Sequence, residues 1–249
     1  MDLSRDAFLC GRLHLWQPVQ GYRAATDAVL LAAACPAMAG QSVLDLGCGV
    51  GAASLCLATR VPGLHLAGLE VQPDYADLAR RNAAENGIAM QVETGDLATM
   101  PRTLRRSFDH VIANPPYYPK GGTPSPIAGR ATALQVGDAP LGAWVQAAAR
   151  RLAPRGWLTL ICGADGLPDV LAAMGDKLGS AAVLPLAPRM GKPALRIILR
   201  ARKTGKGAFR LLAPFVIHAG DAHDGDRESY TPAANSVLRD GASLSGVFD

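Results

Sequence analysis

The length, composition and charge of the chain exclude several kinds of protein. Its 249 residues are 49% hydrophobic and 18% charged, with a net charge of +4, which suits one α/β domain with extensions or at most two small domains. No run of about 18 apolar residues is present, so we expect no membrane span. The five cysteines are scattered and form no Cys-x-x-Cys pair, which indicates reduced thiols in a cytoplasmic protein without disulfides or a metal site.

Residues 1–40 are expected to form an N-terminal extension. Polar and apolar residues alternate over 12–16, which predicts a half-buried strand in an otherwise irregular or extended stretch. Thr26 is a good N-cap, and the helix predicted over 27–35 is apolar nearly all round, so it should be buried.

Strands and helices alternate through the central part at 41–203, which precedes a C-terminal extension at 204–249. This alternation implies a single domain with a largely parallel sheet and helices on both faces. The stretch 119–138 is rich in Gly, Pro, Ser and Thr, and its length is typical of a functional or mobile loop. The predicted strands lie at 42–46, 64–69, 90–94, 110–113, 157–162, 181–184 and 195–201, and the predicted helices at 52–60, 73–86, 140–152 and 168–178.

A glycine-rich turn connects the first central strand to the next helix, with the sequence Asp45-Leu46-Gly47-Cys48-Gly49-Val50-Gly51. Glycines in such a turn allow the backbone to approach a ligand closely. Glu70 and Asp96 follow the next two strands, and the carboxyl ends of parallel strands meet at one edge of the sheet. The sequence therefore predicts a cofactor site at this edge, formed by Asp45, Gly47, Cys48, Gly49, Gly51, Glu70 and Asp96.

Asp45 favours one of two cofactors. The dinucleotide pattern for NAD is G-x-G-x-x-G, whereas this turn reads G-x-G-x-G and is preceded by an acidic residue. A pyrophosphate would make no use of Asp45, whereas the ammonium group of S-adenosylmethionine would. S-adenosylmethionine is therefore the expected cofactor. A role for Asp45 in capping the N–H groups of the turn remains an alternative.

The fourth strand leads directly into Asn114-Pro115-Pro116-Tyr117. The prolines have fixed φ and no N–H, and Pro115 keeps Asn114 extended, so the turn offers a side-chain amide, carbonyl groups and an aromatic ring. Such a turn would accept hydrogen bonds from an NH₂ group through Asn114 and the Pro115 carbonyl, with Tyr117 stacked on a base. The alternative is a rigid turn that only ends the strand. This turn directly follows the end of a strand, as the glycine turn, Glu70 and Asp96 do. We therefore expect these four residues to form the catalytic site.

Four features of the sequence together resemble the class I methyltransferases that modify amino groups through an NPPY motif. They are 43–51, Glu70, Gly95-Asp96 and 114–117. The resemblance covers about residues 21–201 and implies a Rossmann-like fold with a mostly parallel seven-stranded sheet. It also implies S-adenosylmethionine as the cofactor, with Glu70 at its ribose and Asp96 at its adenine. In this family, residues near Tyr22 and Thr26 lie beside the cofactor, so Thr26 is a further cofactor-binding candidate. Asn114 is a cofactor-binding candidate as well as a catalytic one.

Enzymes of this type methylate adenine N6 in DNA or RNA, guanine N2, or the glutamine amide of release factors. The segment 21–31 and the predicted helix starting at Thr231 and Pro232 resemble bacterial enzymes that methylate N6 of adenine 37 in a valine tRNA. The resemblance therefore implies a tRNA adenine-N6 methyltransferase. A protein-glutamine N5 methyltransferase acting on a release factor, an rRNA or DNA base methyltransferase, and a non-catalytic RNA-binding module remain alternatives.

Clusters of basic residues bear on the partner. Eight cations and no acid occupy 189–210, a run that would either attract phosphates or protect a solvated strand edge. Arg102, Arg105 and Arg106 add positive charge before the fourth strand. These clusters favour tRNA as the partner.

Overall fold

The computed structural model describes residues 1–116, 139–220 and 229–249. None of the helices in these ranges combines the length and apolar character that crossing a bilayer requires. Tyr117 and the loop predicted at 119–138 lie outside the described residues.

The chain begins with an antiparallel hairpin of β1 (Leu3–Phe8) and β2 (Leu13–Pro18). In β2, buried and half-buried residues alternate, which confirms the strand predicted over 12–16. The sequence did not predict β1. None of its residues is fully buried, so its sequence carries no apolar alternation.

The first helix, α1 (Thr26–Ala34), is buried from Ala28 to Ala34, as its apolar sequence predicted. The prediction that Thr26 is its N-cap is wrong, because Ala25 is the N-cap and no side chain caps the helix. Gln17 of β2 fixes the backbone before the helix: its Oε1 accepts from the Ala24 N–H at 2.7 Å, and its Nε2 donates to the Ala24 carbonyl at 3.3 Å. This anchor determines where the helix begins.

The central sheet contains all seven predicted strands. Their bounds are β3 (Ser42–Leu46), β4 (His65–Glu70), β5 (Met90–Thr94), β6 (Phe108–Ala113), β7 (Leu152–Gly163), β8 (Leu178–Ala187) and β9 (Arg196–Lys203). The spatial order is β5-β4-β3-β6-β7-β9-β8, and all pairs are parallel except those of β9, which is antiparallel to both neighbours. Two short strands, β10 (Arg210–Leu211) and β11 (Phe215–Val216), pair with β8.

Helices cover both faces of this sheet, as predicted. Val43 of β3 packs in a core with α1, α2 (Ala52–Arg60), α3 (Pro73–Glu85) and α6 (Pro232–Asp240). Its neighbour Leu44 packs in a second core with α4 (Leu141–Arg151) and α5 (Leu167–Met174). The C-terminal helix α6 has the predicted cap, since Thr231 Oγ1 accepts from the Ala234 N–H at 3.1 Å and Pro232 follows it.

The order of the strands determines where a ligand binds. The chain builds outward from β3 through β4 to β5, then returns to place β6 on the opposite side of β3. Leu46 pairs with Ala113 at the carboxyl ends of β3 and β6, so the turns beginning at Gly47 and Asn114 start side by side. Such a switch in strand order leaves a crevice at the carboxyl edge of the sheet.

Asn82 of α3 and Asn86, the C-cap residue of this helix, attach the N-terminal hairpin to the central sheet. Asn82 is fully buried, accepts from the Trp16 N–H at 2.7 Å, and donates to the carbonyls of Trp16 and Val50. Asn86 makes the equivalent pair of bonds to His14, at 3.1 and 2.7 Å. Both side chains therefore bind the β2 backbone much as a neighbouring strand would.

We expect the change Asn82→Ala to lower the free energy of unfolding by about 2–3 kcal/mol, because it leaves buried backbone groups of β2 and the glycine turn without partners. Chemical denaturation followed by circular dichroism measures this loss. The matched control is Asn235→Ala on the exposed face of α6, which should change stability by less than about 0.5 kcal/mol. Equal stability of the two variants would contradict the anchoring role of Asn82.

Candidate active site

A pocket of about 360 Å³ occupies the crevice at the carboxyl ends of β3, β4, β5 and β6. It brings together six of the residues that the sequence predicted for the site. These are Gly47, Gly49, Glu70, Asp96, Asn114 and Pro116.

The glycine turn has the backbone geometry that the sequence implied. Gly47, Gly49 and Gly51 have φ values of 65°, 54° and 86°, in the left-handed region that favours glycine, and Gly51 is the N-cap of α2. A Cβ atom at position 47 would lie 2.6 Å from the ring of Trp144 in α4. The packing of this ring against the turn therefore leaves room only for glycine there. The turn is thereby held close to the indole ring at one wall of the pocket.

Asp45 lies beneath the turn and does not line the pocket. Its side chain is 2% exposed, and its Oδ2 accepts from the Ser54 hydroxyl in the first turn of α2 at 2.8 Å. Burial raises the pKa of Asp45, the hydrogen bonds from Ser54 oppose this shift and the nearby Glu70 adds to it, with a net value of about 7. The carboxyl group is therefore hydrogen-bonded to the start of α2. Because its pKa is near 7, a positive charge placed nearby would favour its ionised form.

This pKa gives a pH-dependent prediction for the cofactor. Below pH 7 the free protein keeps Asp45 protonated, so pairing with the cofactor ammonium group must release a proton, and affinity should rise with pH toward tenfold per unit between about pH 5.5 and 7. Titration calorimetry in buffers of different ionisation enthalpy measures both the affinity and the released proton. In the variant Asp45→Asn the pH dependence should disappear. A wild-type affinity independent of pH would show that Asp45 does not pair with the cofactor ammonium group and serves only in its hydrogen bond with Ser54.

The same shift affects stability with a defined sign. In the cofactor-free protein the folded state holds a proton that the unfolded chain releases above about pH 4. Asp45 therefore lowers the free energy of unfolding as the pH rises from about 4 to 7, and no further above that range.

Glu70 connects two turns at the edge of the pocket. It is 6% exposed, and its two carboxylate oxygens accept from the N–H groups of Gly49 and Gln72, each at 2.9 Å. Burial raises the pKa of Glu70, and the backbone donors act against this shift. The carboxylate thus aligns the glycine turn with the end of β4 and keeps further lone pairs for a ligand hydroxyl in the pocket.

The far end of the pocket is formed by the turn after β5. Asp96 is exposed, and its Oδ1 accepts from the Ala98 N–H at 2.6 Å. Leu97 and Val71 line the same pocket with apolar side chains. An acceptor beside two aliphatic side chains suits a flat heterocycle with an exocyclic amine, such as the adenine of S-adenosylmethionine.

Asn114 stands at the opposite end of the pocket, next to a tyrosine from the N-terminal segment. Its Nδ2 donates to the Tyr22 hydroxyl at 3.2 Å, whereas its buried Oδ1 has no hydrogen-bond partner among the described residues. Pro115 is buried and Pro116 is exposed at the pocket. The Asn114 Oδ1 is therefore an acceptor without a partner among the described residues, at the start of the predicted catalytic turn.

The remaining predicted residues have other positions. Thr26, Cys48, Gly51 and Pro115 do not line the pocket, and Tyr117 lies outside the described residues. Sequence reasoning missed Tyr75 and Trp144, which do line it. Tyr75 lies in the first turn of α3, shortly after β4 ends, and this position is the signal that would have found it. Trp144 lies in the first turn of α4, well beyond the end of β6, so no such signal marks it.

The prediction for the basic run at 189–210 is wrong for three arginines whose side chains are engaged within the chain, the buried Arg189 and Arg200 and the half-buried Arg196. Arg189 is 9% exposed and donates to the carbonyls of Ala219 and Gly220, and Arg196 forms an ion pair with Asp27. The Arg200 guanidinium is 5% exposed and lies 4.9 and 4.6 Å from the ring centroids of Trp157 and Phe248. These cations are engaged within the chain, so they neither meet phosphates nor protect a solvated edge.

A different set of arginines borders the pocket. Arg105, Arg150 and Arg151 line a second cavity of about 280 Å³, which shares Leu97 and Ala98 with the first pocket. The Arg105 Nε donates to the Met100 carbonyl at 2.7 Å, which anchors its guanidinium, and no acidic residue of the described chain lines this cavity. Of the predicted cluster, Arg105 therefore contributes to a cationic groove next to the pocket, hereafter the arginine groove.

The chemistry of the pocket suits a positively charged cofactor. Two buried carboxyl groups, Asp45 and Glu70, lie at the glycine turn, and the neighbouring turn begins with the Asn114 amide, whose oxygen has no partner among the described residues. Within the described ranges, no group of three or more His, Cys, Asp or Glu side chains could hold a metal ion. The glycine turn, the carboxylate at its side and the acceptor beside aliphatic residues together fit S-adenosylmethionine.

Comparison with known proteins agrees with this geometry. The methyltransferase small domain family matches residues 24–181. A protein of Porphyromonas gingivalis named tRNA1(Val) (adenine(37)-N6)-methyltransferase is 33% identical over 177 residues, which are 68% of this chain and 69% of that protein. A protein of the same name from Aeromonas hydrophila is 31% identical over 206 residues, 81% of this chain and 85% of that protein.

Solved structures share the fold. A predicted O-methyltransferase from Agrobacterium tumefaciens has a TM-score of 0.69 at 24% identity, covering 87% of this chain and 97% of that chain. A T. thermophilus 16S rRNA N2 G1207 methyltransferase, solved with AdoMet and guanosine, has a TM-score of 0.55 at 21% identity, covering 81% and 50%. The chain therefore belongs to the methyltransferase small domain family and is a class I methyltransferase that uses S-adenosylmethionine.

Proposed function

We propose that this enzyme transfers a methyl group to the N6 amine of an adenine in tRNA. The observation that carries the proposal is the Asn114 amide, whose Nδ2 is bound to Tyr22 while its buried Oδ1 is left without a described partner at the pocket. A carbonyl oxygen in that position accepts a hydrogen bond from an NH₂ group, and it offers nothing to a hydroxyl oxygen that has lost its proton.

The turn after β6 would activate the amine by holding both of its hydrogens. The lone pair of an exocyclic amine is delocalised into the ring, so the amine is a weak nucleophile. Acceptance by the Asn114 Oδ1 and the Pro115 carbonyl increases the electron density on nitrogen and directs its lone pair into the pocket. When bound, S-adenosylmethionine would supply an electrophilic methyl group there: the N–CH₃ bond would form as the S–CH₃ bond breaks, the sulfonium would leave as a neutral thioether, and the amine would lose one proton to solvent. Positioning and electrostatics account for the lowered barrier, without a metal or a covalent intermediate.

The cofactor roles of the pocket residues belong to the same proposal. The backbone of Gly47 and Gly49 would lie against the methionine part. Asp45 would ionise and pair with its ammonium group, and Glu70 would accept hydrogen bonds from the ribose hydroxyls. Asp96 would accept from the cofactor adenine. Tyr117 would stack on the target base, as aromatic residues do in single-stranded nucleic-acid sites.

Two observations support an RNA substrate. The arginine groove borders the pocket and carries three guanidinium groups, which bind phosphates well. The relatives from P. gingivalis and A. hydrophila are named for adenine 37 of tRNA1(Val), so this position is the specific target that we propose. A loop adenine is unpaired and requires little energy to turn outward. A tRNA substrate also implies action in the cytoplasm.

Methyl transfer from labelled S-adenosylmethionine to candidate substrates tests the proposal. The enzyme is incubated in parallel with total tRNA, with a purified release factor and with ribosomal RNA, and the labelled tRNA is digested to nucleosides. We expect label in tRNA as N6-methyladenosine. Label in the release factor would contradict the proposal and support a protein-glutamine methyltransferase. Label as N2-methylguanosine would contradict it and support methylation of a guanine base.

A further inference from the structure

The hydroxyl of Tyr22 is the described group that fixes the orientation of the Asn114 side chain. An asparagine amide has a donor half and an acceptor half, and rotation of the side chain by 180° exchanges them. The Tyr22 hydroxyl accepts from Nδ2 at 3.2 Å, which turns Oδ1 to the other side, where it is buried and has no described partner. With the amide reversed, the NH₂ group would face the substrate amine and would repel it.

Tyr22 is itself held in place by a second tyrosine. The Tyr75 hydroxyl accepts from the Tyr22 N–H at 3.1 Å and donates to the Tyr22 carbonyl at 3.2 Å, and the Tyr75 side chain is 4% exposed. The Tyr22 ring lies over the glycine turn, because a Cβ atom at Gly49 would be 3.8 Å from its Cε1. The phenol is therefore fixed between the cofactor turn and the catalytic turn.

The surroundings of this phenol raise its pKa further above neutral pH, at which a tyrosine is already uncharged. Desolvation is the largest cause, and the carboxyl groups of Asp27, Asp45 and Glu70 add to it, so that the pKa of Tyr22 rises to about 12. A neutral hydroxyl can accept the Asn114 N–H and still donate its own hydrogen. Donation by Nδ2 also polarises the amide and makes Oδ1 a better acceptor.

We infer that Tyr22 is a positioning residue, which orients the Asn114 amide so that its oxygen faces the methyl-accepting amine. This inference rests on the proposed function, since it names the group that prepares Asn114 for an NH₂ substrate. It makes the segment between β2 and α1, more than 90 residues before the catalytic turn, part of the methyl-transfer site.

The test is a double-mutant cycle on Tyr22 and Asn114. The change Tyr22→Phe keeps the ring but removes the hydroxyl, and we expect kcat to fall roughly three- to tenfold, as for the loss of one hydrogen bond. The KM for RNA and the affinity for S-adenosylhomocysteine should remain within about twofold of the wild type. In the Asn114→Ala background, measured by single turnover with excess enzyme, the change at Tyr22 should have no further effect.

Tyr230→Phe is the matched control, because Tyr230 stacks on His218 away from the pocket residues, and it should retain the wild-type kcat. An equal loss from Tyr22→Phe in both backgrounds, or an unchanged kcat in Tyr22→Phe, would overturn the inference. A wild-type enzyme that methylates a different amine would refute the proposed function alone. The double-mutant cycle on Tyr22 and Asn114, repeated with that amine as the substrate, would still decide the role of Tyr22.

Discussion

Replacing Asn114 with alanine is expected to lower kcat by roughly 100- to 1000-fold, the usual effect of removing one preorganised hydrogen-bonding group from a reacting centre. The described hydrogen bond of its side chain is to the Tyr22 hydroxyl and not to the glycine turn or Glu70, so its removal should change cofactor affinity by less than about threefold. Single-turnover methyl transfer measures the rate, and calorimetry with S-adenosylhomocysteine measures the affinity.

Asn235→Ala is the matched control for this experiment, because it makes the same chemical change on an exposed face of α6. It should retain full activity. Near-normal turnover in Asn114→Ala would show that the amine is not held by this amide, and the proposed mechanism would fail. A loss of cofactor binding in proportion to the loss of rate would instead assign Asn114 to the cofactor.

The second large effect is expected from Glu70→Gln, which should weaken cofactor binding roughly 10- to 100-fold. Both carboxylate oxygens of Glu70 accept backbone N–H groups, and a glutamine would present its NH₂ group to one of these donors. The variant would lose one of these bonds as well as the charge that the ribose hydroxyls would meet. Titration with S-adenosylhomocysteine measures the change.

Glu93→Gln on β5 provides the comparison, since Glu93 is only half-buried and its described bond is to Gln91. Its cofactor affinity should match the wild type. At saturating cofactor, Glu70→Gln should retain kcat within a few-fold, because the Asn114 end of the pocket is unchanged. An unaltered affinity in Glu70→Gln would exclude Glu70 from the cofactor site.

Much of the fold follows from the local pattern of the sequence. Several strands of the central sheet, such as β3 and β6, are short apolar segments followed by a polar residue or a glycine, and this pattern appears directly in the chain. The adjacency of Gly47 and Asn114 also follows, because the strands before them are neighbours at the switch in strand order. The sequence therefore contained enough to bring the glycine turn, Glu70, Asp96 and Asn114 to one edge.

The parts that the sequence missed depend on contacts between distant residues. The bond from Asn114 to Tyr22 spans 92 positions, and the contact of Trp144 with Gly47 depends on how α4 packs on the sheet. Arg200 carries the same charge as a phosphate-binding arginine, yet it is placed between two aromatic rings. Neither composition nor periodicity distinguishes such an arginine from the exposed Arg150, which lines the arginine groove.

The most direct test of the proposed chemistry compares two RNA hairpins that differ in the position of one amine. One is the anticodon stem-loop of a valine tRNA with adenine at position 37, and the other carries 2-aminopurine there, which moves the amine from C6 to C2. Mass spectrometry of the products after incubation with S-adenosylmethionine detects the added methyl group. We expect methylation of the adenine hairpin alone, on N6. Equal methylation of both hairpins, or methylation at another position, would contradict the proposed role of Asn114 in presenting the N6 amine.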